Sequence, residues 1–203
     1  MELDHIAISG GTLAQATQAA ETALGVALQQ GGEHDVFHTH NTLLGLEDGL
    51  YLEAIAINPA APIPTRPRWF DLDRFKGQAR LTNWICRCDD LDATLAALPD
   101  GFGAPVSLQR GDLRWRMAVP QSGLLPFDNC APALIEWEGD AHPATRLAAS
   151  GCRLRLLSIQ HPEGDALGAL LAPFLQDDRI VFQTGDAQLS AEFDTGKGAA
   201  KLQ

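Results

Sequence analysis

Short runs of alternating apolar and polar residues dominate residues 1–57, and one longer run has a helical period. The helical run covers residues 13–24, and Thr12 followed by Gln15 forms a capping-box pattern at its start. Residues 47–49, Glu-Asp-Gly, predict a hairpin turn. The predicted strands are 3–8, 27–30 (extendable to 35), 38–46 and 50–57. The predicted order is therefore β-α-β-β-β.

The same order recurs in the second part of the chain. Asp89 and Asp90 are cap candidates for a helix over residues 91–98. The predicted strands of this repeat are 81–88, 106–109, 113–119 and 133–137. Between the two repeats, residues 58–78 contain four prolines, which favour an extended connector.

A third and shorter unit follows, with the predicted order β-α-β-β. Its strands are predicted at 153–160, 179–183 and 188–193, and its helix at 165–174. Residues 196–203 show no clear pattern, so we expect them to be frayed. The fold class indicated is α+β, with tandem βαβββ modules and a C-terminal βαββ half-module. The predicted divisions are a domain at 1–146, made of modules 1–57 and 79–138 with connector 58–78, and an extension at 147–203 that packs on it.

Composition and charge exclude several classes of function. Of 203 residues, 45% are hydrophobic, which is enough to bury a core in one large domain or two small ones. The net charge is −11 and no basic stripe occurs, so we expect no nucleic acid partner. We find neither a signal-peptide pattern nor an apolar run of about 18 residues, so we expect no membrane partner and a cytoplasmic protein with reduced cysteines. The absence of a G-x-S-x-G motif disfavours serine hydrolase chemistry.

Six stretches of the chain occur in an order and spacing that resemble one known family. They are LDHIAI at 3–8, HTHNTLLGLEDGLYLEAIA at 38–56, GDLRWRMAVP at 111–120, LLPF at 124–127, LIEW at 134–137 and HPATR at 142–146. Together they make the chain similar to the glyoxalase-like domain proteins of the vicinal-oxygen-chelate (glyoxalase/bleomycin resistance/dioxygenase) superfamily. This resemblance implies two modules packed edge to edge, whose curved mixed sheet encloses a cup for a small molecule.

The resemblance also implies a divalent metal ion, held by side chains from the first and last strand of each module. The implied ligands in this sequence are His5, Glu53, Asn83 and Glu136. One imidazole and two carboxylates suit Mn²⁺, Fe²⁺, Ni²⁺, Co²⁺ or Zn²⁺, which would act as a Lewis acid while Glu53 or Glu136 serves as the catalytic base. Strand alternation agrees with this, because it places His5 with Leu3 and Ala7, opposite the apolar Ile6. Asn83 departs from the family pattern of Gln, Glu or His, so a metal-free polar pocket and purely structural polar residues stay open as alternatives.

Three more residues are candidates for substrate binding. Asn41 stands in a T-x-N pattern, where its amide would orient a substrate; the alternative is a turn-stabilising Asn. Arg116, or Arg87 beside Asn83, would hold a substrate carboxylate in bidentate fashion; the alternative is a surface ion pair. A group of three histidines is interpreted as solvated rather than as a second metal site: His34, His38 and His40.

The resemblance implies a small-molecule enzyme of the lyase or isomerase type, acting on a small polar carbonyl or carboxylate compound in the cup. A binding protein that sequesters its ligand between aromatic walls is the alternative. The available aromatic residues are Trp69, Trp84, Trp115 and Trp137, of which alternation assigns Trp84 and Trp115 to the core. An inactive interaction domain is a third alternative, for which we expect a collapsed cup. Exposed module edges also leave a homodimer open.

Overall fold

In the computed structural model, which describes all residues from Met1 to Gln203, the chain has the predicted α+β fold. The first module has the predicted order β-α-β-β-β. Its elements are β1 (Glu2–Ser9), α1 (Leu13–Leu24), β2 (Gln29–His34), β3 (Thr39–Gly45) and β4 (Tyr51–Ile57). The predicted cap of α1 is present, because the Thr12 hydroxyl accepts a hydrogen bond from the backbone N–H of Gln15 at 3.2 Å.

The second module repeats this order. Its elements are β5 (Arg80–Arg87), α2 (Leu91–Ala97), β6 (Ala104–Arg110), β7 (Leu113–Val119) and β8 (Ala133–Trp137). Asp90 caps α2 by accepting the backbone N–H of Ala93 at 2.8 Å. The longer insertion of this module, residues 120–132, lies between β7 and β8, as the sequence predicts.

The two modules form one curled sheet of eight strands in the order β2-β3-β4-β1-β5-β8-β7-β6. The first strands β1 and β5 pair antiparallel at the centre, and each runs parallel to the last strand of its own module, β4 or β8. The predicted edge-to-edge packing is therefore confirmed. The two edge strands, β2 and β6, contact each other. The sheet thus curls around an enclosed space, called the cup below.

A β-bulge in each first strand changes which residues face the cup. In β1 the register with β5 shifts between Leu3 and His5, so Asp4 is the extra residue. Leu3 joins the core on the outer face of the sheet, while Asp4 and His5 both turn toward the cup side. Strict alternation, which places Leu3 and His5 on one face, is therefore wrong at this end of β1. A matching shift makes Thr82 the extra residue of β5.

The connector between the modules fills much of the cup. Residues Trp69–Arg74 form a 3₁₀ turn that places Trp69, Phe70 and Leu72 in the apolar cluster of the inner sheet face. Trp69 and Phe70 are called the aromatic cover below. Phe70 and Asp71 both have left-handed backbones, with φ of 60° and 57°. For a bulky residue such as Phe this conformation is unusual and strained.

The C-terminal extension has one strand more than predicted. Its elements are β9 (Arg153–His161), α3 (Gly164–Leu171), β10 (Ile180–Thr184), β11 (Gln188–Thr195) and β12 (Gly198–Leu202). The segment expected to be frayed pairs antiparallel with β11, because the turn after Thr195 folds it back into the ladder. The separate sheet has the order β10-β9-β11-β12 and shares one apolar core with α1 and the outer face of β1 and β5.

No helix of the protein combines the length and the apolar character needed to cross a membrane. The cysteines Cys86, Cys88, Cys130 and Cys152 are all free, as expected, and Cys88 is the least buried of them.

Candidate functional site

The cup contains a small cavity of about 20 Å³, which is room for one water molecule. Its two sides differ in chemistry. Module one contributes His5, His34, Asn41, Tyr51 and Glu53. Module two contributes Arg110, Trp115, Met117, Ile135 and Trp137. Trp69 and Phe70 of the aromatic cover complete the lining. Trp115, assigned to the core by alternation, therefore lines the cavity, whereas Trp84 does lie in the outer core.

Glu53 on β4 is the buried carboxylate of this cavity, and its residue is 5% exposed. The side-chain amide of Asn41, on the neighbouring strand β3, donates a hydrogen bond to Glu53 Oε1 at 2.5 Å. The other oxygen, Oε2, faces His5 Nε2 at 3.7 Å. One carboxylate oxygen is therefore fixed by the protein, while the second is directed toward a ring nitrogen without a hydrogen bond between them.

Asp4 orients His5 through the β1 bulge. Its Oδ1 lies 2.6 Å from His5 Nδ1, and its Oδ2 accepts from Trp137 Nε1 at 3.0 Å and from His142 Nε2 at 2.9 Å. Burial acts to raise the pKa of Asp4, but the hydrogen bonds to His142 and His5 prevail and hold the pKa well below its usual range. Because the ionised Asp4 only accepts hydrogen bonds, His5 Nδ1 carries a proton and Nε2 points toward Glu53.

Strand alternation does not predict the position of Asp4, because a bulge interrupts the period of two on which face assignments depend. His142, which begins the HPATR stretch, makes two contacts through its ring. His142 Nδ1 accepts the backbone N–H of Ala144 at 3.3 Å, and its other ring nitrogen reaches Asp4.

His34 is buried beside Glu53, so its interpretation as a solvated histidine is wrong. Burial lowers the pKa of His34 to about 3, and the charge of Arg110 acts in the same direction. The ring is therefore neutral near pH 7. Its Nδ1 lies 2.9 Å from Thr39 Oγ1, while Nε2 faces two donors, Arg110 Nη1 and Asn41 Nδ2, each at 3.4 Å. This arrangement makes Nε2 the acceptor and places the proton on Nδ1.

Arg110 closes the cup from the edge strand of module two. Its Nη1 donates to Asn41 Oδ1 at 3.0 Å, and the backbone N–H of Gly32 donates to the same oxygen at 2.9 Å. A Cβ atom at Gly31 would overlap Asn41 Oδ1, and one at Gly32 would lie 2.7 Å from Arg110 Cδ. The Gly31-Gly32 pair thus permits both contacts, and glycines inside a strand are the signal by which the close approach could have been predicted.

Glu136 and Arg116 lie away from the cavity, on the outer face of the second module. Glu136 Oε2 accepts from Arg116 Nη2 at 2.6 Å and from the backbone N–H of Leu91 at 2.8 Å. Arg116 also donates to Asp92 at 2.7 Å. Arg87 is exposed and pairs with Glu2 at 2.5 Å. The predicted placement of Glu136, Arg116 and Arg87 in the cup is therefore corrected, and the surface ion pairs considered as an alternative describe both arginines.

The register of the sheet explains why Glu136 is misplaced. Glu53 lies opposite Ala7 in the β1–β4 pair, and Ala133 lies opposite Ile85 in the equivalent β5–β8 pair. Ala7 lies three residues after the bulge residue Asp4, and Ile85 lies three residues after the bulge residue Thr82. The two positions are therefore equivalent, and Ala133 is the counterpart of Glu53. The ligand set implied by the resemblance pairs Glu53 with Glu136, which lies three residues beyond Ala133. A shift by an odd number of residues moves a side chain to the opposite face of the sheet.

Comparison with known proteins agrees with this architecture. A family model described as a glyoxalase-like domain matches residues 3–175. The chain belongs to the glyoxalase-like domain family. This family lies within the vicinal-oxygen-chelate superfamily, so the predicted resemblance is confirmed. No curated protein matches the chain.

Among solved structures, a hypothetical protein from Staphylococcus aureus shares the fold with a TM-score of 0.62 and 13% identity, covering 92% of this chain and 87% of that one. Methylmalonyl-CoA epimerase from Mycobacterium tuberculosis is 20% identical, with a TM-score of 0.44 and coverage of 68% and 88%. A variant of Streptomyces coelicolor methylmalonyl-CoA epimerase in complex with 2-nitronate-propionyl-CoA is 18% identical, with a TM-score of 0.43 and coverage of 70% and 97%.

The side chains of this glyoxalase-like domain do not fit the metal site that the resemblance implies. His5 and Glu53 meet, but module two offers neutral Asn83 at one ligand position and Ala133, which has no donor atom, at the other. The positive guanidinium of Arg110 lies in the same cavity and opposes a divalent cation. No group of three or more His, Cys, Asp or Glu side chains is arranged to hold a metal ion.

Proposed function

We propose that the protein is a small-molecule enzyme of the lyase or isomerase type that works without a metal ion. It removes a proton from a carbon next to a carbonyl or carboxylate group of a small polar compound. The observation that carries this proposal is the buried Glu53 carboxylate, with Oε1 held by Asn41 and Oε2 free to accept a proton beside His5. A positioned, buried carboxylate is a typical general base.

The proposed step begins with the transfer of the substrate proton to Glu53 Oε2. The C–H electron pair moves into the carbonyl group, which forms an enolate or enediolate oxygen. In an isomerase, the proton returns to the neighbouring carbon, either from Glu53 or through His5 Nε2, which lies 3.7 Å from Oε2. Asp4 supports this by holding His5 Nδ1 and so keeping Nε2 directed toward the cavity.

Arg110 is proposed to bind the substrate anion and to stabilise the developing negative charge on its oxygen. Its guanidinium is always protonated, is partly buried, and contacts Asn41 and His34 within the cavity lining. Neutral His34 supports this role, because a protonated ring 3.4 Å from Arg110 would repel the guanidinium. Asn41 therefore links the proposed base and the proposed anion-binding residue.

Deuterium exchange tests this function. The protein is incubated in D₂O with pyruvate, 2-oxobutanoate and hydroxyacetone, and incorporation next to the carbonyl group is followed by NMR. We expect the wild type to accelerate exchange for a compound of this class and Glu53→Gln to slow it by about 10²–10⁴-fold.

Glu136→Gln is the matched control for this experiment. It makes the same chemical change on the outer face, where Glu136 contacts Arg116 and Leu91, and we expect exchange at the wild-type rate. A Glu53→Gln protein that exchanges as fast as the wild type would remove Glu53 from the role of base. Equal losses in both variants would also contradict the proposal.

The small cavity favours a second candidate, the inactive interaction domain, for which a collapsed cup is expected. A third function, ligand sequestration, draws support from the aromatic walls that Trp69, Trp115 and Trp137 provide. Thermal-shift measurements with the same compounds separate these functions. Stabilisation without exchange favours a binder, whereas neither stabilisation nor exchange favours the interaction domain.

A further inference from the structure

We propose that Asn83 is a second substrate-binding residue of the cup, which hydrogen-bonds a carboxamide-like group after the aromatic cover moves. This inference rests on the proposed function and adds a substrate class to it: compounds that carry an anionic head for Arg110 and a distant group with both a donor and an acceptor. It also assigns a role to the residue that departs from the metal-ligand pattern of the family.

The first observation is that Asn83 is fully buried, at 0% exposure, and that neither its Oδ1 nor its Nδ2 has a hydrogen-bond partner. Buried side-chain amides in folded proteins are nearly always bonded. Leaving a buried donor or acceptor unpaired costs about 1–3 kcal/mol. An apolar residue of similar shape would avoid that cost, so the protein contacts of the closed cup do not account for the amide.

The second observation is the position of Asn83 on the inner face of the sheet. It pairs with Ala7 of β1, and Ala7 pairs on its other side with Glu53. Paired residues share a face, so the Asn83 amide and the Glu53 carboxylate both face the cup, two strand spacings apart. That separation is roughly 10 Å. A ligand that reaches both residues is therefore longer than a three-carbon compound.

The third observation is that the cover over this face is strained and incompletely bonded. Phe70 and Asp71 have left-handed backbones, and Trp69 Nε1 is buried without a partner. Phe70 also lines both the cavity and an open groove of about 390 Å³ beside the extension. This groove is lined by Leu81 and Thr82, the two residues that precede Asn83. Displacement of Phe70 would therefore join the cavity to the groove, beside the strand β5 that carries Asn83.

The chemistry of the ligand follows from the two unpaired side-chain atoms of Asn83. Asn83 offers one acceptor, Oδ1, and one donor, Nδ2, in a single plane. A primary carboxamide complements both at once, because one of its N–H groups lies on the same side as its C=O, whereas a carboxylate or an alkyl group leaves at least one unpaired. The cup of an inactive interaction domain would have no reason to keep these unpaired atoms.

Binding of two shape-matched acids tests the inference. The probes are 6-carbamoylhexanoate and 7-methyloctanoate, which differ only in having a terminal carboxamide or an isopropyl group, and affinities are measured by calorimetry. We expect the wild type to prefer the carbamoyl acid at least about tenfold. The Asn83→Leu variant should lose or reverse this preference and should be more stable than the wild type to thermal unfolding.

The outcomes separate this inference from the proposed function. Equal wild-type affinities for the two acids, or binding of neither at millimolar concentration, overturn the role of Asn83. So does an unchanged preference in Asn83→Leu. Because the wild-type preference is measured without any variant, the test stands even if Asn83→Leu does not fold. Glu53-dependent deuterium exchange that persists without an amide preference would leave the proposed function intact.

Discussion

The two modules have the same strand order, but the inner faces of their sheets differ in polarity. In module one the inner face carries His5, Asn41 and Glu53, where Asn41 donates to Glu53 and His5 Nε2 faces Glu53 Oε2 at 3.7 Å. In module two the equivalent strands present Ala133, Ile135 and Met117. The comparison teaches that two βαβββ modules with the same strand order and register can carry inner faces of very different polarity. In this protein module one holds the proposed base, whereas module two forms a mostly apolar wall to which Arg110 and Asn83 add polar groups.

The bulges show the same division of roles. In β1 the extra residue is Asp4, which is buried and accepts hydrogen bonds from His142 and Trp137 while it holds His5. In β5 the extra residue is Thr82, whose hydroxyl bonds only to Ser9 and, at 3.5 Å, to a backbone carbonyl. The same backbone irregularity positions a site residue in module one, whereas in module two it only adds a hydrogen bond to the neighbouring strand β1.

The largest expected effect comes from giving module two the carboxylate that module one has. Ala133→Glu places a charge at the counterpart of Glu53, in an apolar cluster with no equivalent of Asn41. We expect the free energy of unfolding to fall by about 3–5 kcal/mol at neutral pH, because an unpaired buried charge is strongly unfavourable. Urea unfolding measures this.

Ala133→Met controls for added volume and should be less harmful than Ala133→Glu. Burial raises the pKa of an unpaired carboxyl group, so part of the stability of Ala133→Glu should return as the pH falls and the new side chain is protonated. A loss that is equal in both variants and independent of pH would show that module two tolerates the charge.

A smaller effect is expected on the stability of the protein at acid pH, which the buried His34 of module one should lower. The pKa of His34 is about 3 in the folded protein against 6.5 for an ordinary histidine, because burial disfavours the charged ring. Below pH 6.5 the unfolded chain therefore binds a proton that the folded protein does not. The contribution of His34 is complete above pH 6.5 and is lost as the pH falls toward 3, by a few kcal/mol in total.

Urea unfolding of the wild type and His34→Gln at about pH 7 and about pH 4.5 checks this prediction. The variant should lose less stability between the two pH values, since it has no ring to protonate. Identical losses would mean that His34 is not held neutral.

The smallest expected effect sharpens the comparison between the two arginines of module two. Arg110 lines the cavity, whereas Arg116 pairs with Asp92 and Glu136 on the outer face. We expect Arg110→Gln to weaken binding of 6-carbamoylhexanoate by about 10–100-fold, because a hydrogen bond to a charged group contributes about 1.5–3 kcal/mol. Arg116→Gln should bind as the wild type does. Calorimetry that shows equal losses would place anion binding elsewhere.

The sequence by itself determined the local elements of this protein. The period of two in the strands, the Thr12 and Asp90 caps and the repeated β-α-β-β-β order all follow from interactions between residues close in the chain. His5, Asn41 and Glu53, all predicted for the cup, lie on adjacent strands of module one and line the same cavity. Their chemical roles stay predictions.

Only the tertiary structure decided the rest. The Asp4 bulge, the three-residue difference that separates Ala133 from Glu136, and the approach of Arg110 to Asn41 depend on which strands pair and in which register. An extra residue or a shifted register costs little locally, but it inverts every side chain beyond it. The final strand β12 is likewise specified by its partner β11 and not by its own pattern. Pairing between distant strands therefore determines which polar residues meet in the cup.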